Sequence, residues 1–175
     1  NSTAPQIDHE PLPPLDAIQA VLRQRERDEG ALSHEQRLQA TRDRCRTLAG
    51  FIREAWPVIE PSQPYVHGWH IDVLAEHLEA ITTGRLLRLG LENRRLVNVP
   101  PGTMKSLATS VLWPAWEWRP CNMPEMRYLT TSYSDTYVKR DSRRMRDLVI
   151  SDWYQEHWGD HVRLIRSGEA SFAND

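Results

Sequence analysis

Lys105 and Ser106 follow Val99-Pro100-Pro101-Gly102-Thr103-Met104, and a lysine and a hydroxyl residue placed together at the start of a helix are chemistry suited to phosphate. The first N–H groups of such a helix and the positive end of its dipole face the anion, the ammonium reaches the outer phosphate oxygens, and the hydroxyl can bind Mg²⁺. The usual pattern is G-x-x-x-x-G-K-[ST]. Here Val99 holds the first glycine's position and Met104 the second's. Composition singles the lysine out, because the chain has twenty arginines but only two lysines, Lys105 and Lys139. A compact ammonium enters a phosphate loop where a planar guanidinium fits badly. On spacing alone, an ordinary strand-to-helix turn with a surface lysine is the equal alternative.

Other residue groups carry weaker chemistry. His67, His70 and His77 are close in sequence, but His70 and His77 border an apolar helical stripe and no fourth ligand follows, so they read as histidines at the edge of a core. Cys45 and Cys121 stand apart, which excludes both a disulfide framework and a four-cysteine zinc site. Arg140, Arg143, Arg144 and Arg146 could track DNA phosphates. Asp135, Asp141 and Asp147 share their helix, however, and pairs four apart such as Asp135 with Lys139 and Arg143 with Asp147 favour a solvated, salt-bridged face. Trp113, Trp116 and Trp118 are expected to bury against the core.

The elements that must position these residues follow from periodicity. Residues 1–14 are polar and proline-rich and read as a flexible tail. A helix is predicted from Leu15 to a stop at Gly30. A second begins after Ser33, with Gln36 at the capping-box position, carries Leu38, Cys45, Leu48 and Ile52 on one face, and ends near Trp56-Pro57. Tyr65 to Trp69 form an aromatic loop, and a third helix sets Ile71, Leu74, Leu78 and Ile81 in a stripe before Gly84. Residues 95–99 read as a strand closed by two prolines. The helix after Lys105 is expected to kink at Pro114, residues 127–132 read as a second strand, and a helix from about 134 to 150 buries Val138, Met145, Leu148 and Val149. Strand, loop, helix, strand and helix in that order predict an α/β fold: the start of a P-loop NTPase parallel sheet, incomplete, preceded by a helical N-terminal segment. The expected division is a tail at 1–14, a helical region at 15–83 and a partial P-loop core at 84–175.

With 175 residues, 39% hydrophobic, and a formal charge of −2, the chain has at most one domain's worth of sequence and no general electrostatic reason to bind nucleic acid. No apolar run approaches a membrane span and no signal peptide is evident, so the sequence predicts a soluble, intracellular protein.

Taken in order, several segments resemble the large subunit of the tailed-phage terminase, the ATP-driven motor and nuclease that packages viral DNA. They are Ala55-Trp56-Pro57-Val58, Trp69-His70-Ile71 with Glu76-His77-Leu78-Glu79, Arg94 to Pro101 before the Lys-Ser pair, Trp113 to Trp118 after it, Thr131 to Asp135 with Arg140 to Arg144, and Trp153-Tyr154 with Trp158-Gly159-Asp160. The resemblance spans roughly residues 47 to 175. It implies that Lys105 is the phosphate-loop lysine, that Ser106 ligates Mg²⁺, that Pro101, Gly102, Thr103 and Met104 complete the ATP cradle, and that Tyr65 or Trp69 stacks on the adenine. It further implies double-stranded viral DNA, the small terminase subunit and the portal protein as partners, an oligomeric motor, and a place in the host cytoplasm. Gly102 stands where many relatives have an arginine, and Met104 where they have a glycine. No apolar strand ending in paired acids follows Lys105, and the nuclease carboxylates are missing. The chain therefore reads as the N-terminal, ATP-binding part of such a subunit, the ATP hydrolase activity belonging to the parent protein. The alternative is a non-catalytic remnant or interaction module contacting the small subunit or portal.

Overall fold

The computed structural model describes residues 14, 19–20, 23–24 and 33–159, together with the backbone of 164–167 and 172–174. The chain divides into two units, residues 1–37 and 38–175. Apart from these few positions, the expected tail and the helix predicted from Leu15 lie outside the described residues. The capping box at the end of the first unit forms as expected. Ser33 N–H donates to Gln36 Oε1 at 2.8 Å and Gln36 N–H to Ser33 Oγ at 3.3 Å, opening helix α1, His34–Arg44.

The single helix predicted after Ser33 is two. Thr47 has extended backbone angles and its hydroxyl accepts the Gly50 N–H at 3.1 Å, capping a new helix, α2, Leu48–Ile59. The Leu48 N–H donates to a Glu79 carboxyl oxygen at 2.6 Å, which satisfies a second N–H at the new terminus. A Cβ on Gly50 would lie 1.8 Å from the Arg44 carbonyl oxygen, so the two helices can approach this closely only over a glycine.

Helix α2 buries Leu48, Phe51, Ile52 and Ala55 against α3, Trp69–Thr82, whose inner stripe is Ile71, Leu74, Ala75 and Leu78. A short α4, Arg85–Arg88, starts after Gly84 at φ +65°. The next helical stretch has three parts: α5, Lys105–Leu107; a π-helical segment, Ala108–Leu112; and α6, Trp113–Trp118. The Trp113 N–H reaches five residues back to the Ala108 carbonyl. Pro114 has no N–H to offer Ser110, so the wide turn just before it takes up the mismatch where a kink was expected. This segment packs on both α2 and α7, Asp135–Val149, and α8, Asp152–Trp158, closes the core. Phe51, Trp153, Tyr154 and Trp158 form an aromatic cluster with Tyr154 and Trp158 centroids 5.2 Å apart, and the buried Tyr154 hydroxyl donates to the Ala115 carbonyl at 2.8 Å.

The α/β expectation is overturned: the described residues form a helical assembly with no parallel sheet. Residues 95–99 and 127–132, both predicted as strands, are not laddered. Burial alternates along them all the same: Val97 and Tyr128, with Met126 just before the second segment, pack on the core, while Leu96 and Leu129 are 96% and 92% exposed. Alternation makes an extended chain with one apolar face; a strand also needs a neighbour's N–H and C=O groups, and among the described residues neither segment is paired with one. The strands that do form among the described residues are β1, Leu164–Ser167, and β2, Phe172–Asn174. They make an antiparallel hairpin with an irregularity between Leu164 and Arg166, in a stretch where no strand was predicted. Among the described residues, 84–159 hold helices and two extended segments, followed by the paired strands β1 and β2, rather than the start of a parallel sheet. Among the described residues no helix is long and apolar enough to cross a membrane.

Candidate functional site

The loop from Pro100 to Met104 is shaped by its own residues. The Thr103 hydroxyl donates to the Pro100 carbonyl at 2.8 Å, closing the turn. Gly102 takes φ +84°, where L side chains are strained, and Met104 takes φ +60°, ψ +5° despite its side chain. A non-glycine residue in this region costs roughly 1–2 kcal/mol. Met104 offsets that cost by packing its side chain against the hydrophobic core. The position that carries a glycine in the usual phosphate loop thus keeps a glycine's backbone conformation while holding an apolar anchor.

Helix α5 begins directly after it. Its first closed backbone hydrogen bond runs from the Ala108 N–H to the Met104 carbonyl at 2.8 Å, so the N–H groups of Lys105, Ser106 and Leu107 precede any intrahelical acceptor. Met104 supplies no side-chain cap. Left-handed residues beside a helix start orient successive N–H groups toward one concavity, a geometry that attracts anions. Lys105 is half-buried and Ser106 exposed, and the Thr109 hydroxyl donates to the Lys105 carbonyl at 3.0 Å.

The loop forms one wall of a cleft of about 680 Å³. Pro101, Gly102, Thr103, Met104, Lys105 and Ser106 all line it, so the structure brings together the whole predicted phosphate cradle. The rest of the lining includes Thr130 to Tyr133 from the second extended segment, Tyr137, Arg140, Asp141 and Arg144 from α7, and Trp56 and Glu60 from the end of α2. Tyr65 and Trp69 are not in the lining. Tyr65 packs edge-on to Trp56 at 5.8 Å, and burial raises its hydroxyl pKa. Trp69 is 76% exposed, its ring meeting His70 at 6.2 Å.

The basic helix is ion-paired, as its sequence suggested. Lys139 meets Asp135 at 2.8 Å as expected, while Asp147 pairs with Arg146. Arg140 pairs with Asp141, and Arg144 with Glu60, 84 residues away. Sequence reasoning placed none of Glu60, Tyr133, Tyr137, Arg140, Asp141 and Arg144 at the loop. The available signal was the four-residue spacing of Arg140 and Arg144, which puts them on one helix face.

A second feature missing from the sequence reading is Glu117, which is 1% exposed. Its carboxyl oxygens accept the hydroxyls of Thr82 and Tyr128, each at 2.5 Å, and Trp113 Nε1 donates to the same threonine at 2.9 Å. Burial, then the bond to Glu117, drive the Tyr128 hydroxyl well above its ordinary range. Trp116 Nε1 donates to the Cys45 carbonyl at 2.8 Å and Trp118 Nε1 to the Met126 carbonyl at 2.9 Å, so the three tryptophans are buried or half-buried with partnered indoles. His67 pairs with Asp72 at 3.1 Å and His77 bonds the Val73 carbonyl; the described residues hold no group of three or more ligating side chains for a metal. Burial pushes both cysteine thiols up to about 12.

Comparison with protein-family models, with curated proteins and with solved structures finds no match for the chain.

Proposed function

We propose that the cleft at Lys105 binds ATP and that the chain is the ATP-binding portion of a phage terminase large subunit, the motor that moves viral DNA into the procapsid. The supporting observation is the left-handed Met104 at the head of the Lys105 helix, since it leaves the loop in a glycine-type conformation facing a cleft lined by all of Pro101 to Ser106. In this reading the Lys105 ammonium holds the outer phosphate oxygens, the N–H groups of residues 105–107 hold an inner phosphate, and the Ser106 hydroxyl reaches the metal. Mg²⁺, which usually keeps its waters and needs few protein ligands, would supply charge neutralisation between the phosphates when bound. One exposed hydroxyl on a phosphate loop fits that donor set better than a cage of carboxylates would. The resemblance puts the adenine toward residues 65–70; of the aromatics there, Tyr65 packs edge-on behind the cleft-lining Trp56, and Trp69 stands exposed outside the lining. Double-stranded DNA, the small terminase subunit and the portal enter as partners through the same resemblance.

The decisive experiment is calorimetric titration of the chain with MgATP. Binding lost in Lys105→Ala and retained in Lys139→Ala is the expected result. Affinity unchanged by Lys105→Ala removes the assignment.

The second reading is a non-catalytic module that contacts the small subunit or portal. One observation favours it: Leu96 and Leu129 stand on unladdered extended segments with their side chains in solvent. Stoichiometric MgATP binding would count against it.

A further inference from the structure

We propose that Arg140 and Arg144 contact the terminal phosphate of the bound nucleotide from the α7 wall of the cleft, with Glu60 as the acceptor that the phosphate displaces from Arg144. The inference rests on reading this cleft as a triphosphate site. The loop supplies one cationic side chain, Lys105, since Gly102 and Thr103 carry no charge. Charge on a triphosphate is spread over several terminal oxygens, and one ammonium cannot meet them all. The other two cations on the lining are Arg140 and Arg144, one helical turn apart on α7.

Their surroundings differ in a way that assigns roles. The Asp141 side chain is only 10% exposed and its Oδ1 accepts from both Nε and a terminal nitrogen of Arg140 at 2.8 Å. The Arg140 guanidinium lies 5.0 Å from the centroid of the Tyr137 ring. Between them the carboxylate and the ring hold the guanidinium in one pose, and only two of its five N–H groups are used by Asp141. Asp141 is a positioning residue, and the other N–H groups of Arg140 suit a phosphate fork.

Arg144 is held differently. Its terminal nitrogen meets Glu60 Oε1 at 2.6 Å, and the Glu60 and Arg144 side chains are 26% and 36% exposed. Glu60 is the C-cap of α2, where the negative end of the helix dipole already disfavours a carboxylate. A terminal phosphate entering the cleft competes with Glu60 for the guanidinium, and it offers more charge and more acceptor oxygens. The Arg144–Glu60 pair is therefore the exchangeable one, and without nucleotide it keeps the wall balanced.

The test is titration of the full chain with MgATP and MgADP, with melting curves recorded for each variant. Arg144→Gln and Arg140→Gln should each weaken MgATP roughly tenfold and change MgADP by less than ~twofold, because only the terminal phosphate loses a charge-assisted bond. Glu60→Gln should tighten MgATP by roughly threefold, since it replaces the competing carboxylate with a neutral, weaker acceptor and leaves the arginine. If the ion pair only fastened α7 to α2, Glu60→Gln and Arg144→Gln would move affinity in the same direction, and that result overturns the proposal. MgATP binding that is abolished by Lys105→Ala but unchanged in both arginine variants overturns this proposal alone. A wild-type chain that binds no MgATP overturns the underlying reading together with it.

Discussion

The two ends of the helical stretch from Lys105 to Trp118 are built on opposite terms. At its C-terminal end Val111, Leu112, Ala115, Trp116 and Trp118 are at most 5% exposed, and the buried Glu117 is matched by two hydroxyl donors. At its N-terminal end a strained methionine and an exposed serine face a cleft, and the first N–H groups lack intrahelical acceptors. Polar satisfaction at one end rigidifies the helix, and that rigidity lets the other end hold unmatched donors in a fixed direction. If the proposed nucleotide site is right, stability and ligand chemistry are separated along one helix, and substitutions at the two ends should report on different quantities.

The largest effect is expected where α1 and α2 approach most closely. Gly50→Ala places a Cβ 1.8 Å from a backbone oxygen that cannot rotate away, so α1 and α2 must separate. We expect a loss of at least about 4 kcal/mol, read from the urea midpoint at unchanged m. A loss under about 1 kcal/mol would show that the junction between α1 and α2 yields. Glu117→Ala comes next. It leaves the half-buried Tyr128 hydroxyl without its acceptor and the Thr82 hydroxyl with only the Leu78 carbonyl at 3.2 Å, and it opens a void, at a cost of about 2–4 kcal/mol. Tyr128→Phe in the Glu117→Ala background should then cost little, because the bond it removes is already gone.

Met104 sits at the boundary between the two regimes. Met104→Gly removes the backbone strain and the apolar anchor together, so stability should change by less than about 1 kcal/mol. Met104→Val keeps a φ of +60° under a β-branched side chain, the least tolerant kind, and should cost about 2 kcal/mol or more. Equal effects would mean that the left-handed conformation is not held by the loop. The cysteines give a smaller, pH-dependent signal. Cys45 moves from an ordinary 9.0 to about 12 in the fold, so above pH 9 the unfolded chain loses a proton that the folded chain keeps. Stability from this group is complete below 9.0 and declines as pH rises toward 12. Urea midpoints measured from neutrality upward should fall above 9.0, and less steeply in Cys45→Ala.

What could be read from the sequence divides along the same lines. Helices α2, α3 and α7 were legible because their apolar residues recur at helical spacing, as in Ile71, Leu74 and Leu78, and the capping box at Ser33 needs only neighbours in sequence. The break between α1 and α2 was not, because apolar spacing runs on through Cys45 to Leu48 and the group that stabilises the new terminus is Glu79, 31 residues away. Residues 95–99 and 127–132 read as strands, from an apolar run closed by prolines and from β-forming residues, and neither is one in the fold. Whether such a segment joins a ladder depends on neighbours that neither signal encodes. That residues 101–106 share one wall of the cleft was legible because they are contiguous. The α7 wall was not, because the pair that sets it against α2 joins Glu60 and Arg144 across the fold.

The smallest expected change in stability belongs to Lys105 itself. The residue is half-buried at the cleft and belongs to the end of the helix whose donors lack intrahelical acceptors, so truncating it removes little packing. Lys105→Ala should alter the urea midpoint by less than about 0.5 kcal/mol, the scale of a surface substitution away from core features, while MgATP binding is lost. The contrast with Glu117→Ala, twelve positions along the same helical stretch, is what gives this measurement its force. A loss above about 1 kcal/mol in Lys105→Ala would show that the ammonium supports the fold, as a residue poised for an absent anion would not. If the first turn is a binding element, added MgATP should also raise the midpoint of the wild type by mass action and leave that of Lys105→Ala where it was. A rise of equal size in both proteins would place the nucleotide elsewhere and end the division between the two ends of the helix.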